Sequence, residues 1–402
     1  MGFLRSSLNS TSNSTMALFR TLLFWLHLTA GVLAGTIVLI MSITGVALTY
    51  EKQVLEWDDR RAWSAPPSTG TALLPPETLL ARVVEAQPEA APTTLTLRAD
   101  PAAPATVSLE GAGALLVDPY RGTIIGPSAS PLRAFFRAAT NWHRWLAMEG
   151  PGRPVGKAVT GAANLAFLFI VVSGLYLWVP RVWSRLQFRN ALWFRSGLHG
   201  KARDFNWHNA IGIWSALPLA IVVAGAVPIS YTWASNLIYL VVGEEPPRPA
   251  GPPRAQAGRT SEPAVAPDFT GIDAAYRSAI ARVPEWRTIG VRVPTGAEGP
   301  VVIILDEGYG GQPQKRQTLT MSRATGAERW EAFADQTTGR RLRSWLRFAH
   351  TGEYYGLPGQ TVAGLVSAGA VMLVWTGIAL ACRRFLARRA RGRADVPTRQ
   401  AA

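Results

Sequence analysis

The stretch FWLHLTAGVLAGTIVLIMSITGVALTY, residues 24–50, contains one histidine and no Asp, Glu, Lys or Arg. As a helix it would extend roughly 40 Å, more than the ~30 Å hydrocarbon core of a bilayer. Apolar runs of spanning length lie at 22–50, 158–180, 209–234 and 361–382, so the chain reads as four transmembrane helices. A signal peptide is the alternative for the first run, but such peptides use apolar stretches of only about 7–15 residues. No clear small-residue cleavage site follows Tyr50.

Around these runs the composition is basic and apolar: 402 residues, a formal net charge of +15 and 48% hydrophobic side chains. Disorder and an ordinary soluble globule are both excluded by that balance. Nucleic-acid binding is not expected, because the Lys and Arg residues crowd beside apolar runs instead of forming a basic domain. The segment 181–208 carries Arg181, Arg185, Arg189, Arg195, Lys201 and Arg203 against one acid, Asp204, and the tail 383–402 adds Arg383, Arg384, Arg388, Arg389, Arg391 and Arg393. Short Lys/Arg-rich flanks stay cytoplasmic. That places the tail 1–21, the loop 181–208 and the tail 383–402 inside, and the long connections 51–157 and 235–360 outside. A bacterial inner membrane with periplasmic domains is the simplest setting. The one cysteine, Cys382, excludes an intramolecular disulfide framework, a covalently attached c-type haem and a cysteine-ligated iron–sulfur cluster.

The chain repeats internally. His27 and His208 each follow a nearby Trp (Trp25, Trp207), precede a Gly by four residues (Gly31, Gly212) and a Tyr by twenty-three (Tyr50, Tyr231). Gly156, Gly161 and Gly174 match Gly359, Gly364 and Gly377 at one constant interval, as Trp142 and Arg144 match Trp345 and Arg347. In the outer segments PETLLARVVEAQP (76–88) and GIDAAYRSAIARVPEW (271–286) have helical apolar spacing, and the β-type runs TTLTLRA, TVSLEG, RTIGVRVP and VVIILDEG follow. Each outer segment then reaches an Asp with a Gly four residues later, Asp118 and Gly122 in VDPYRG, Asp335 and Gly339 in ADQTTG. The first of these reads as a tight turn between strands. The Pro-rich stretch at 244–268 reads as an extended linker. The expected fold is therefore a membrane α-helical four-helix bundle with two periplasmic α+β domains, internally duplicated.

Histidine carries most of the functional signal. His27 and His208 lie near the cytoplasmic ends of spans one and three, and His143 and His350 just outside the periplasmic ends of spans two and four. A b-type haem takes an axial ligand on each face, which facing helices of a bundle can supply. Gly31 and Gly212, one turn from their histidines, would leave room for a flat macrocycle. A lone histidine is more often a polar group satisfied within a bundle, but four at quasi-equivalent positions point to a function. The match is imperfect: His350 falls four residues beyond the position equivalent to His143, where Leu346 stands. His199, in the cytoplasmic loop, is the alternative to His208 as a ligand. No phosphate-binding loop, dinucleotide fingerprint, catalytic Ser-His-Asp set or HExxH is present; GYGGQ (308–312) reads as a turn. The arginines Arg340, Arg341, Arg343 and Arg347 suit an anionic ligand or lipid headgroups.

The motifs HLTAGVLAG with SITGVAL, VDPYRG, WHRWL, SGLYLWVPR, DFNWHNAIGIW and HTGEYYGLPGQ, in this order, make the chain resemble the PepSY-associated transmembrane proteins, also called iron-regulated membrane proteins. Some members of that family are inner-membrane ferric-siderophore reductases. The resemblance covers nearly the whole chain and implies that the outer domains are PepSY-like. It implies two b-type haems, the inner held by His27 and His208 and the outer by His143 and His350, passing electrons to a periplasmic ferric siderophore or other Fe(III) chelate. The donor would be a separate cytoplasmic flavoprotein or quinol. Trp142, Trp145, Tyr354 and Tyr355 would line an amphipathic substrate pocket, and Arg144 and Arg347 would meet acidic groups of the chelate. Two other classes compete: a PepSY-type membrane-anchored regulator of peptidases without haem, which leaves the histidine pairs without a role, and a transporter, for which the spans offer no broken helices or buried acids.

Overall fold

The computed structural model describes residues 2–63, 72–111, 113–179, 184, 185, 189, 192–248, 268–296 and 298–394, with side chains from 15 to 391 within those ranges. Residues 249–267 of the expected linker, Arg181 and the Arg393 side chain lie outside the described residues. In chain order the elements are α1 (Gly2–Leu48), α2 (Glu51–Arg61), α3 (Pro76–Ala86), β1 (Pro92–Arg98), β2 (Ala105–Leu109), β3 (Gly113–Val117), β4 (Ile124–Pro127), α4 (Pro131–Trp145), α5 (Arg153–Trp178), α6 (Gly200–Ser230), α7 (Thr232–Val241), α8 (Ile272–Arg282), β5 (Thr288–Arg292), β6 (Val301–Asp306), β7 (Arg316–Met321), β8 (Glu328–Ala332), α9 (Thr338–His350) and α10 (Gly356–Ala394). The order of helices and strands from α1 to α5 is the same as from α6 to α10.

Four segments are long and apolar enough to cross a membrane: Thr15–Leu48, Gly150–Trp178, Gly200–Ser230 and Glu353–Arg391. Both α1 and α6 pack against α5 and α10. Val171, Leu219, Val223, Val366 and Ala370 fill one part of the interior, and Ala34, Val38 and Ala163 another. Small residues let the helices approach closely. A Cβ at Gly35 would come within 3.3 Å of Ile378, and one at Gly369 within 3.3 Å of Ile211. Leu33, Leu217 and Leu365 point outward and stay exposed, as side chains meeting lipid do.

The third span begins nine residues before its apolar run. Polar residues are tolerated there because they are satisfied: Asp204 is buried against Arg203 at 2.9 Å and Arg383 at 3.0 Å, and the Asn206 side chain donates to the Trp193 carbonyl at 3.1 Å. Pro218 and Pro228 lie inside α6, which ends at Tyr231 before the chain resumes as α7.

The segments between spans one and two and between spans three and four form one antiparallel sheet with strand order β4-β3-β2-β1-β5-β6-β7-β8. The halves meet at the β1–β5 ladder, where Leu95 pairs with Val291 and Leu97 with Ile289. Alternation explains the layering: Leu95, Leu97, Ile289, Val291, Ile303 and Leu305 point to one face and are buried with Leu79, Leu80 and Val83 of α3 and Ile272, Ala275 and Ala279 of α8. The two helix N-termini cap one another, since Glu77 N–H donates to Asp273 Oδ1 and Asp273 N–H to Glu77 Oε1, both at 3.0 Å.

One expected match is corrected here. VDPYRG does turn between β3 and β4, with Asp118 N–H bonded to the Thr123 carbonyl and Gly122 N–H to the Asp118 carbonyl. Its counterpart is the β7–β8 turn, where Ser322 N–H bonds to Ala327 and Gly326 N–H to Ser322 in the same pattern. ADQTTG instead leads into α9, with Asp335 accepting from Ala332 N–H and Thr337 accepting from Arg340 N–H as N-cap. An Asp and a Gly four residues apart are too common to identify a hairpin without the strands on either side.

Candidate functional site: two histidine centres in the bundle

The C-terminal ends of α1 and α6 and the N-terminal ends of α5 and α10 enclose a cavity of about 370 Å³ into which His143 and His350 project. That volume lies in the range of small-molecule and cofactor sites, roughly 300–1,000 Å³. The ring centroids are 6.2 Å apart and the ring planes are inclined by 46°. His143 is brought here by α4, which starts at the Ser130 cap and Pro131 and is clasped to α5 where the Thr160 hydroxyl donates to the Arg144 carbonyl at 3.0 Å. Gly156 is required at this crossing, because a Cβ there would overlap the Trp145 carbonyl.

His143 Nδ1 lies 2.9 Å from the Met41 carbonyl and 3.0 Å from Thr44 Oγ1, and His350 Nδ1 lies 2.7 Å from the Val222 carbonyl. A carbonyl only accepts, so in both rings Nδ1 carries the proton and Nε2 the lone pair. Met41 and Val222 are separated by the same interval as His27 and His208. The displaced His350 therefore reaches the equivalent carbonyl. It does so by packing on Gly225, where the first half has Thr44. Burial pushes the His143 imidazole down to about 4, with the charges of His350 and Arg144 adding and the Met41 carbonyl opposing. Burial likewise lowers His350, with Arg347 adding and Val222 opposing.

At the opposite end of the bundle His27 Nδ1 lies 2.9 Å from Ser173 Oγ on α5, and His208 Nδ1 lies 3.0 Å from Thr376 Oγ1 on α10. Each ring rests on the glycine that follows its hydroxyl partner: Cβ atoms at Gly174 and Gly377 would stand 3.3 Å and 3.4 Å from the Cε1 atoms of His27 and His208. His27 lies within charge–charge range of His208. Fourteen residues separate His27 from Met41 on α1 and His208 from Val222 on α6, so the two levels are about 21 Å apart.

Among the described residues none of the four rings makes a hydrogen bond through Nε2, and each keeps part of its surface accessible inside the bundle. This is the arrangement of an imidazole ligand, its far nitrogen held by an acceptor and its near nitrogen free. Among the described residues no three His, Cys, Asp or Glu side chains gather as a metal site. A bare metal ion takes about four protein ligands; two imidazoles per site suit a metal that arrives in a macrocycle and needs only axial ligands.

Arg144, Trp145 and Arg347 line the His143–His350 cavity, while Trp142, Tyr354 and Tyr355 do not. Tyr355 instead bonds Trp345 Nε1 at 3.0 Å. Sequence reasoning missed Lys52, Lys157, Glu51 and Glu353, which also line the cavity. Lys52 and Glu353 are ion-paired, and burial holds Glu51 above the usual carboxylate range, with Lys52 opposing and Glu353 adding. Gly31 faces open space and a Cβ at Gly212 would stand 3.7 Å from Leu373, while the glycines that lie against the histidines are Gly45, Gly174, Gly225 and Gly377. His199 is exposed just before α6, away from the bundle interior that receives His208. Of the expected basic cluster, Arg340 pairs with Glu331 at 3.6 Å, Arg343 bonds Ser235 at 2.7 Å and Arg347 reaches the cavity.

Fold and site together define a four-span membrane protein whose bundle holds histidines at two levels under an antiparallel sheet. A family model described as the PepSY-associated TM region matches residues 24–384, and the chain belongs to that family. A search of curated proteins gave no match to this chain.

Proposed function

We propose that this chain is a di-haem b electron carrier of a bacterial inner membrane that reduces a periplasmic ferric siderophore or similar Fe(III) chelate. The observation that carries the reading is the four histidines, each with Nδ1 engaged and Nε2 free, at two levels about 21 Å apart along the bundle. His27 and His208 would hold the inner haem, and His143 and His350 the outer. When bound, each haem supplies a one-electron carrier. The electron would come from a flavoprotein or quinol and go to Fe(III) of the chelate; the resulting Fe(II) would be held less tightly by hard oxygen donors and released. The chain's own residues orient the imidazoles, keep water from the bundle interior and, through Arg144, Lys157 and Arg347 at the cavity, draw in an anionic chelate. The basic inner segments orient the termini to the cytoplasm, and the repeated element order reflects a duplicated periplasmic unit.

The protein purified from haem-replete cells should carry close to two low-spin b-haems per chain. His27→Ala or His208→Ala should lose one, and His199→Ala should keep both. The dithionite-reduced protein, freed of excess reductant, should be reoxidised by a ferric siderophore while a ferrous trap collects the product, and carbon monoxide should barely inhibit it. His143→Ala or His350→Ala should stop reoxidation while the inner haem stays reducible. Purification without haem, or a reduced protein that stays reduced across hydroxamate, catecholate and citrate-type chelates, would sink the reading.

A further inference from the structure

Both inner histidines are engaged by side-chain hydroxyls, which a substitution can remove. His143 and His350 donate to main-chain carbonyls, which no side-chain substitution removes. His27 and His208 face hydroxyls beside the Ile170 and Leu373 carbonyls, as His143 faces Thr44 beside Met41, and a hydroxyl can either donate or accept. Here the direction is settled by the helix each hydroxyl stands on. Ser173 Oγ donates to the Ile170 carbonyl at 3.2 Å, and Thr376 Oγ1 donates to the Met372 carbonyl at 2.7 Å. Each hydroxyl has one proton and directs it to its own backbone, so toward the imidazole it presents a lone pair. Nδ1 of His27 and of His208 must then be the donor, which leaves Nε2 as the coordinating nitrogen. Both hydroxyls are buried, Ser173 at 3% and Thr376 at 1% exposure, so water cannot replace them. The following residues, Gly174 and Gly377, leave the ring edge just enough room to lie against the helix.

We infer that Ser173 and Thr376 are positioning residues that fix the tautomers of His27 and His208 and lower the reduction potential of the metal centre these histidines hold. The inference rests on the haem reading above. An imidazole whose N–H is accepted by a polarised oxygen is the more basic ligand, and a more basic ligand favours the ferric state. Without the hydroxyl the N–H keeps only the Ile170 or Leu373 carbonyl beside it, and the imidazole donates less to the metal.

The test is a spectroscopic redox titration of the purified full chain. Ser173→Ala and Thr376→Val should each raise the potential of one of the two haem waves, the double variant should raise it further, and the other wave should stay where it is. Low-spin EPR g-values should change for the same haem alone. Ser173→Thr and Thr376→Ser, which restore a hydroxyl, should return the unaltered potential. If the double variant does not retain the inner haem, the two single variants decide in the same way. Two haems with potentials unmoved by loss of the hydroxyls would overturn this inference and leave the proposed function standing; a chain that binds no haem would overturn both.

Discussion

At the scale of single residues, His143 ties local chemistry to stability. Its imidazole is held neutral in the fold, pushed down to about 4 by burial first and by the His350 and Arg144 charges after it. Unfolded, it would titrate near ~6.5. The unfolded chain therefore binds more protons between these values, so stability falls as pH drops from about 6.5 to about 4, by at most ~1.4 kcal/mol per pH unit for each such group. His350 moves in the same direction. Thermal denaturation of the haem-free protein in detergent should show this loss across that window, and His143→Gln should reduce the slope; an unchanged slope would mean that another group titrates. The neutral form is also the one with a free lone pair, so the pair stays competent as a ligand where a solvated histidine would already be protonated.

Elements meet through glycines whose absent side chains are filled by backbone. Gly156 on α5 lies against the Trp145 carbonyl at the end of α4, two residues from His143, and Gly225 on α6 lies against the Leu346 carbonyl and His350. Gly156→Ala should force α4 away from α5 at a cost of roughly 1–3 kcal/mol. Haem analysis should then show loss at the His143–His350 level with the His27–His208 level intact; equal loss at both would mean a global effect. The Gly156–Gly359 correspondence was readable from the constant interval. The seat at Gly225 was not, because the first half has Thr44 there, and one turn of displacement in His350 is matched by removal of a side chain on the facing helix. The Ser–Gly and Thr–Gly pairs at 173–174 and 376–377 stand at the same interval as the matched glycines, a signal present in the sequence but short enough to pass for coincidence.

For the whole molecule, the joined sheet changes how damage spreads. Leu95 is fully buried at the β1–β5 seam, in a core that draws on both halves. Leu95→Ala should cost about 2–5 kcal/mol. Amide hydrogen exchange should show lost protection in β2 and in β6 together; loss confined to β1–β4 would mean that the two halves unfold independently. The reciprocal caps couple the halves as well, so Glu77→Ala and Asp273→Ala should each cost about 0.5–2 kcal/mol, read as a lower melting temperature for both sides of the sheet. Orientation is testable at the same scale. In a Cys382→Ser background, cysteines at the exposed positions Glu110 and Thr325 should react with an impermeant thiol reagent added outside the inner membrane, and one at Lys201 should not. Labelling of the Lys201 position in sealed cells would reverse the proposed topology.

Four spans, the helices α3 and α8, the strands β1, β2, β5 and β6 and the four histidines of interest were determined by the sequence alone, because hydropathy and periodicity are sums over neighbouring residues. The tertiary structure decided which of those pieces meet. It joined β1 to β5, replaced Asp335 and Gly339 with Ser322 and Gly326 as the counterpart of the first hairpin turn, and brought Met41, Val222, Ser173 and Thr376 to the histidines. The strand pairing and the histidine contacts join residues more than a hundred positions apart, as His27 and Ser173 are, and a hydroxyl or a carbonyl carries no mark in the sequence of the partner that folding will place against it.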